Sequence, residues 1–243
     1  MTLQLPIVFI AALGEPGQNW SPVLEHLGDL TTVTYDRPGT GAAPPRPAPR
    51  APLPYSVLAD ELAEELDERR VTGPAILVAH SIGSLVARVY AGRHPHRVAG
   101  LVHVDGSIPQ LRLWPTDETT VDGDGPDASE LDTVTGQVEV LTATTPPVPA
   151  LVLTRSPVHP TTADLPAGVE ELWLTSQRIL ARELGAPLIV ADDSGHRIPS
   201  TAPDLVAYAI RAVHTAAGTA RPVRVDPEEL SKAGGHLDRT SAT

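Results

Sequence analysis

The chain has 243 residues and a mass of 25.6 kDa, enough for one α/β domain or two small ones with a core that buries roughly 70–75% of the unfolded surface. A hydrophobic share of 41% against 20% charged residues excludes wholesale disorder, and 18 basic against 30 acidic side chains give a net charge of −12, which argues against a nucleic-acid or anionic-membrane surface. Without cysteine there are no disulfides, thiolate nucleophiles or Cys-ligated zinc, and Lys232, the lone lysine, lies in a polar tail, leaving Schiff-base and Walker-type phosphate chemistry without a candidate.

Leu5 to Leu13 is the first apolar run. It is far shorter than a membrane span and no Lys or Arg precedes it, so Pro6 to Ile10 reads as a buried strand and not an export signal, and a cytoplasmic location is expected. Trp20 to Leu30 carries a helical spacing. The β-branched and aromatic Thr31 to Tyr35 reads as a second strand, ending at Asp36-Arg37-Pro38-Gly39. Six prolines between Ala43 and Pro54 can neither join a ladder nor continue a helix, which leaves an extended surface loop. Ser56 is expected to cap a helix to Arg70, with Leu58, Leu62 and Leu66 on one stripe and Gly73-Pro74 as its stop.

Ala75 to Ala79 is apolar without alternation, the pattern of a central strand covered on both faces. Leu85, Val86, Val89 and Tyr90 follow Ile82 at i+3, i+4, i+7 and i+8, so a helix begins immediately after Ser81. Further strands are predicted over Val98 to Val104, ending at Asp105, over Val148 to Leu153 and over Leu188 to Ala191, with helices over Glu170 to Leu184 and Asp204 to Ala217. Strands alternating with helices imply an α/β fold: a doubly wound, mostly parallel sheet with helices on both faces.

Two segments depart from this rhythm. Residues 111–145 hold seven carboxylates from Asp117 to Asp132 and no basic residue between Arg112 and Arg155, which suggests a short acidic lid insertion at one sheet edge. Residues 219–243 show little apolar periodicity, so a single domain over 1–218 is expected, followed by a polar tail, mobile or loosely docked, whose removal would leave fold and activity nearly intact.

Ala79-His80-Ser81-Ile82-Gly83 lies where a buried strand turns into a helix. A serine on such a turn projects above the sheet, and small flanking residues allow the sharp bend, which makes Ser81 a candidate nucleophile; the alternative is a helix N-cap on a tight turn. A nucleophilic serine needs a histidine base from another loop, and His196 in Asp193-Ser194-Gly195-His196 follows the last strand at the same carboxyl edge of the sheet. His26 and His214 lie within helices, His94 and His96 follow the end of one, His103 lies inside a strand, and His80 adjoins the serine on the wrong side of the turn. A His94-x-His96 metal pair lacks any suggested third ligand, so no metal is expected.

These pieces resemble the α/β-hydrolase superfamily over roughly residues 5 to 217. The first strand with its glycine loop and Trp20, the segment from Tyr35 to Gly41, the serine turn and the Ser194-Gly195-His196 loop carry the resemblance. It implies an eight-stranded core lacking its first two strands, a chain order of serine, acid and histidine, and oxyanion donors that by position are the backbone amides of Leu13 and Ile82. The chain departs from the pattern twice. Ala11-Ala12-Leu13-Gly14 stands where the family often has His-Gly, and the loop from Thr154 to Pro160, where most members carry the acid, contains no carboxylate. Some members place the acid one strand earlier, and Asp105 ends that strand. Asp105 is thus the first choice for orienting His196, with Asp164 second and Asp132 or Glu130 after it, while a turn-capping role for Asp105 stays open. Asp36 and Arg37 are expected to tie a loop beneath the site.

The resemblance implies a soluble serine hydrolase acting on the ester, thioester or related acyl bond of a small molecule, with no cofactor and with neither nucleic acid nor membrane as partner. Alternatives are acyl transfer, carbon–carbon bond cleavage or a lyase step in biosynthesis, or a degenerate binding protein of the same fold. Oligomeric state is not legible.

Overall fold

The computed structural model describes residues 5–47, 51–109, 120–123, 128–162, 166 and 168–238. In chain order the elements are β1 (Ile7–Ile10), α1 (Ser21–Leu24), β2 (Thr32–Thr34), α2 (Tyr55–Glu68), β3 (Ala75–His80), α3 (Gly83–Arg93) and β4 (Val98–Val104). There follow β5 (Val121–Asp122), β6 (Ser129–Glu130), α4 (Thr133–Thr142), β7 (Ala150–Thr154), α5 (Val169–Leu184) and β8 (Leu188–Ala191). The chain closes with α6 (Ile198–Thr201), α7 (Pro203–Thr219), α8 (Pro227–Lys232) and β9 (Gly235–Leu237).

Seven strands form one sheet in the order β2-β1-β3-β4-β7-β8-β9, in which every pairing is parallel except that of β9 with β8. The six parallel strands are what an eight-stranded core retains when its first two strands are missing, as the resemblance implied. Strand residues alternate between two apolar layers. Val8, Ile10, Leu77 and Ala79 face the layer that includes Leu58 and Leu62 of α2 and Val86 of α3, while Ile7, Phe9, Ile76 and Val78 face the layer that includes Val206, Ile210 and Val213 of α7. All six residues of β3 are buried, which is why its sequence shows no polar alternation. Among the described residues no helix is long and apolar enough to cross a membrane.

Three expectations need correction. The helix over Trp20 to Leu30 is reduced to α1, because His26 and Leu27 donate to the carbonyls of Val23 and Leu24 in tight i→i+3 turns and Gly28 adopts a left-handed φ of 63°. Ser56 does not cap α2. That helix starts at Tyr55 behind Pro54, and the Ser56 hydroxyl donates to Glu139 of α4 at 2.5 Å. The third concerns the tail. β9 adds an antiparallel strand to the sheet edge, Leu230 of α8 is buried, and the Asp238 carboxylate takes two hydrogen bonds from Arg178. A three-residue strand and a single buried leucine are too short for a periodic signal, so composition alone read this stretch as solvent-facing.

Removing residues 221–243 is accordingly expected to lower the melting temperature by about 10 °C, since uncovering the β8 edge and Leu230 costs about 3 kcal/mol. Differential scanning calorimetry would check it; a change within 2 °C would return the segment to the status of a dispensable tail.

The described part of the insertion is docked rather than loose. β5 and β6 form an antiparallel ribbon, Leu53 pairs with Leu131, and Gly136 lets α4 lie so close to the Tyr55 ring that a Cβ there would stand 2.6 Å from it. Residues 110–119 and 124–127, which hold Asp117 and other carboxylates of the insertion, lie outside the described residues.

Candidate active site

The turn between β3 and α3 holds Ser81 at a φ of 52°, left-handed for a residue with a side chain and worth roughly 1–3 kcal/mol of strain. The Ser81 amide donates to the Val104 carbonyl, and its own carbonyl accepts from Ser84 and Ser107, so neighbouring backbone holds the strained residue in place. Gly83 is required next to it. A Cβ at that position would lie 2.6 Å from the Ile10 carbonyl oxygen, so only glycine lets the start of α3 close against the end of β1.

His196 approaches from the loop after β8. Its Nε2 lies 2.9 Å from Ser81 Oγ and its Nδ1 lies 2.6 Å from Asp105 Oδ2. A carboxylate can only accept, so Nδ1 carries the proton and Nε2 is free to accept that of the serine. Asp105, at the end of β4, is wholly buried and also has a positive φ, 43°. Five hydrogen bonds converge on it. Oδ1 accepts from Thr154 Oγ1 at 3.1 Å, the Arg155 amide at 3.0 Å and Trp173 Nε1 at 2.8 Å; Oδ2 accepts from His196 and from Arg155 Nη1, the latter at 3.1 Å. Burial by itself would raise the Asp105 pKa, but the hydrogen bond and charge of His196, then those of Arg155, hold it below the usual carboxylate range.

His80 sits on the other side of the histidine. Its ring centroid is 4.9 Å from that of His196, and its Nε2–H donates to the His196 carbonyl at 2.8 Å. Burial, followed by the neighbouring His196 charge, pushes the His80 pKa down to about 4, so the imidazole is neutral at physiological pH.

The loop after β1 is clamped on both sides of Leu13. Arg37 donates to the carbonyls of Ala11 and Ala12 at 2.9 and 2.5 Å and forms a two-bond ion pair with Asp122 of β5, while the Gly14 amide donates to the same carboxylate at 2.8 Å. Burial disfavours the Asp122 charge, but Arg37 outweighs it and holds the pKa low. Among the described hydrogen bonds the Leu13 and Ile82 amides have no acceptor. Asp36, as expected, ties its own loop, accepting from the amides of Gly17 and Ala42.

Two of the other acid candidates are placed elsewhere. Asp132 caps α4 by accepting from the Thr135 amide and hydroxyl, Glu130 is exposed on β6, and Asp164 lies outside the described residues. Among the described residues no group of three or more His, Asp or Glu side chains is arranged to hold a metal ion.

Thr154, Arg155, Trp173 and His80 were missed as site residues. Adjacent placement of β4 and β7 would have put Thr154 and Arg155 beside Asp105; the spacing of Trp173, Gln177, Leu180 and Ala181 marks the buried face of α5, but that this face meets the end of β4 is decided by tertiary packing.

One consequence is measurable without substrate. His103, wholly buried in β4 and with no partner for either ring nitrogen among the described residues, has a pKa pushed by burial, and then by the Arg88 charge, down to about 3. From pH 6.5 down to 4 the unfolded chain binds protons at His80 and His103 that the folded chain refuses. Stability is therefore full above pH 6.5 and should fall with pH across that window by about 1 kcal/mol per unit per histidine. Urea unfolding of the protein and its His103→Leu variant from pH 7 to 4 would check this: the slope should be shallower in the variant, and equal slopes would exclude His103 as a contributor.

A family model described as alpha/beta hydrolase fold matches residues 6–167. Lipase LipV of Mycobacterium tuberculosis is 30% identical over 102 residues, 42% of this chain and 37% of the lipase. The chain spans at most 40% of the length of the curated relatives it matches. Methylketone synthase I of tomato superposes with a TM-score of 0.63 at 12% identity, covering 88% of this chain and 99% of that one. A thermophilic esterase of Thermogutta terrifontis superposes with a TM-score of 0.55 at 20% identity, covering 95% and 90%. Identities this low speak to the fold alone.

Proposed function

Since the chain belongs to the alpha/beta hydrolase fold family, we propose that it is a serine hydrolase that cleaves an uncharged ester or related acyl bond of a small molecule through Ser81, His196 and Asp105. The observation that carries this reading is the continuous hydrogen-bonded chain from Ser81 Oγ through the imidazole to a buried, ionised carboxylate, at 2.9 and 2.6 Å.

In the first step Ser81 Oγ attacks the acyl carbon while its proton passes to His196 Nε2, and Asp105 stabilises the imidazolium. The carbonyl electron pair moves onto oxygen, where the Leu13 and Ile82 amides donate to it; Arg37 and Asp122 hold the loop on either side of Leu13, so little reorganisation is needed. Collapse expels the alkoxide leaving group, which takes the proton from His196. Water then attacks the acyl-serine by the same route, with His196 removing its proton and returning it to Ser81.

Preference for an uncharged or cationic substrate follows from electrostatics. The chain carries −12, and among the described residues Arg37 and Arg155 near this edge are committed to Asp122 and to Asp105 and Glu170, while Arg197 is exposed. The reading predicts covalent labelling of Ser81 by a fluorophosphonate, seen as an intact-mass increase that is absent in Ser81→Ala. A matched panel of p-nitrophenyl esters, neutral against ω-carboxylate, at two salt concentrations tests the substrate class. The neutral series should show the higher kcat/KM; preference for the anionic series, weakening as salt rises, would overturn the charge preference and point to an arginine clamp.

A further inference from the structure

Beyond the three residues of the triad, we propose that Arg155 is a positioning residue for Asp105 and that the Arg155–Glu170 ion pair sets the basicity of His196. The inference rests on the hydrolase reading only for its kinetic consequence.

Arg155 follows β7, which pairs with β4, so its backbone amide and its side chain reach Asp105 together, at 3.0 and 3.1 Å. Its Nη1 approaches the same oxygen that receives the proton of His196 Nδ1. A cation there fixes the carboxylate but also competes with the imidazolium for its charge. Glu170, at the start of α5, offsets that competition by accepting from Arg155 Nη2 at 2.5 Å and Nε at 3.1 Å, and the guanidinium carbon lies 4.0 Å from the Trp173 ring centre. Trp173 in turn donates to Asp105 and meets the His196 ring edge-on at 5.7 Å. Acid, arginine and glutamate thus sum to −1 beside the histidine, a value that either single neutralisation changes and a double one restores.

The other charged or titratable groups around the ring do not duplicate this. His80 on the opposite face is neutral above about pH 5, Glu15 lies behind it at 3.9 Å from its Nδ1, Asp192, Asp193 and Arg197 of the histidine's own loop are exposed, and the half-buried His159 beside Gly195 has its Nε2 3.9 Å from the exposed Asp193.

The test compares Arg155→Met, Glu170→Gln and the double variant with the unaltered protein, reading the His196 pKa by NMR of its imidazole, assigned through the loss of its signals in His196→Gln. Arg155→Met should raise the pKa by about one unit, and Glu170→Gln, which leaves the arginine uncompensated, should lower it by about half a unit. The double variant should return to within 0.3 unit of the starting value, roughly, and Arg155→Lys should stay near it. The acid limb of kcat/KM on a neutral ester should move in the same directions. A role confined to packing would not produce shifts of opposite sign that cancel, so unchanged pKa values in the variants would overturn the proposal. Should Arg155→Met fail to fold, the downward shift in Glu170→Gln decides alone. The titration needs no turnover: absent ester cleavage and absent Ser81 labelling in the unaltered protein would defeat the hydrolase reading while leaving this result readable.

Discussion

Ser81→Ala is expected to lower kcat on a neutral ester by about 10⁶-fold while leaving the protein folded, the scale seen when the nucleophile of a serine triad is removed. The loss is this large because His196 and Asp105 act only through the serine hydroxyl; without it, water must attack unaided and only the oxyanion donors and substrate binding still contribute. Folding should survive, because the strained φ of 52° is held by backbone bonds through the Ser81 amide and carbonyl, and alanine meets the same strain as serine. Among the described residues Ser107, whose hydroxyl is 3.4 Å from that of Ser81, is the nearby group that could imitate the nucleophile. Its alanine variant should retain kcat within about tenfold. Steady-state kinetics on both variants separates the two serines: a loss below 100-fold in Ser81→Ala, or a greater one in Ser107→Ala, would reassign the attacking oxygen.

Asp105→Asn is expected to lower kcat by about 10⁴-fold, on the precedent of a triad histidine locked in the wrong tautomer. Both Asp105 oxygens act only as acceptors here, and each takes at least two hydrogen bonds. An asparagine must turn an NH₂ group toward one set of donors. Turned toward His196, it donates to Nδ1 and drives the imidazole proton to Nε2, where it faces the serine hydroxyl and cannot accept from it. Turned the other way, it opposes the Arg155 amide, Thr154 and Trp173. The same substitution leaves Arg155 with Glu170 as its remaining carboxylate in a buried setting, so stability should drop by about 3 kcal/mol. Kinetics together with chemical denaturation of the variant distinguishes the effects, because lost stability alone does not reduce kcat of the folded fraction. Near-full activity in Asp105→Asn, with loss in Asp164→Asn, would move the acid to the later loop.

The sequence determined what depends on neighbours within a turn or a pleat. Continuous apolar runs at Ile7 to Ile10 and Ala75 to Ala79 specify strands covered on both faces, the i, i+3, i+4 stripe after Ile82 specifies α3, and their junction makes Ser81 stand out before any coordinate is known. Their alternation also determines the parallel sheet, since parallel strands must be joined by crossovers. The tertiary structure alone decided which groups meet across long stretches of chain. Ser81 and His196 are 115 residues apart and Asp105 and His196 are 91 apart, and Asp105, the first choice among several acids on the strength of the resemblance, could equally be read as a turn cap until β4 is seen ending beside the histidine loop. The five hydrogen bonds from described residues that keep Asp105 ionised come from the end of β7, from α5 and from the loop after β8; hydrophobic period marks the buried face of α5, Trp173, Gln177, Leu180 and Ala181, but not which strand end that face meets, nor the path of a loop. β9 escaped notice for a related reason: a three-residue strand gains its stability from the sheet edge it joins, and that edge exists only once the chain has folded.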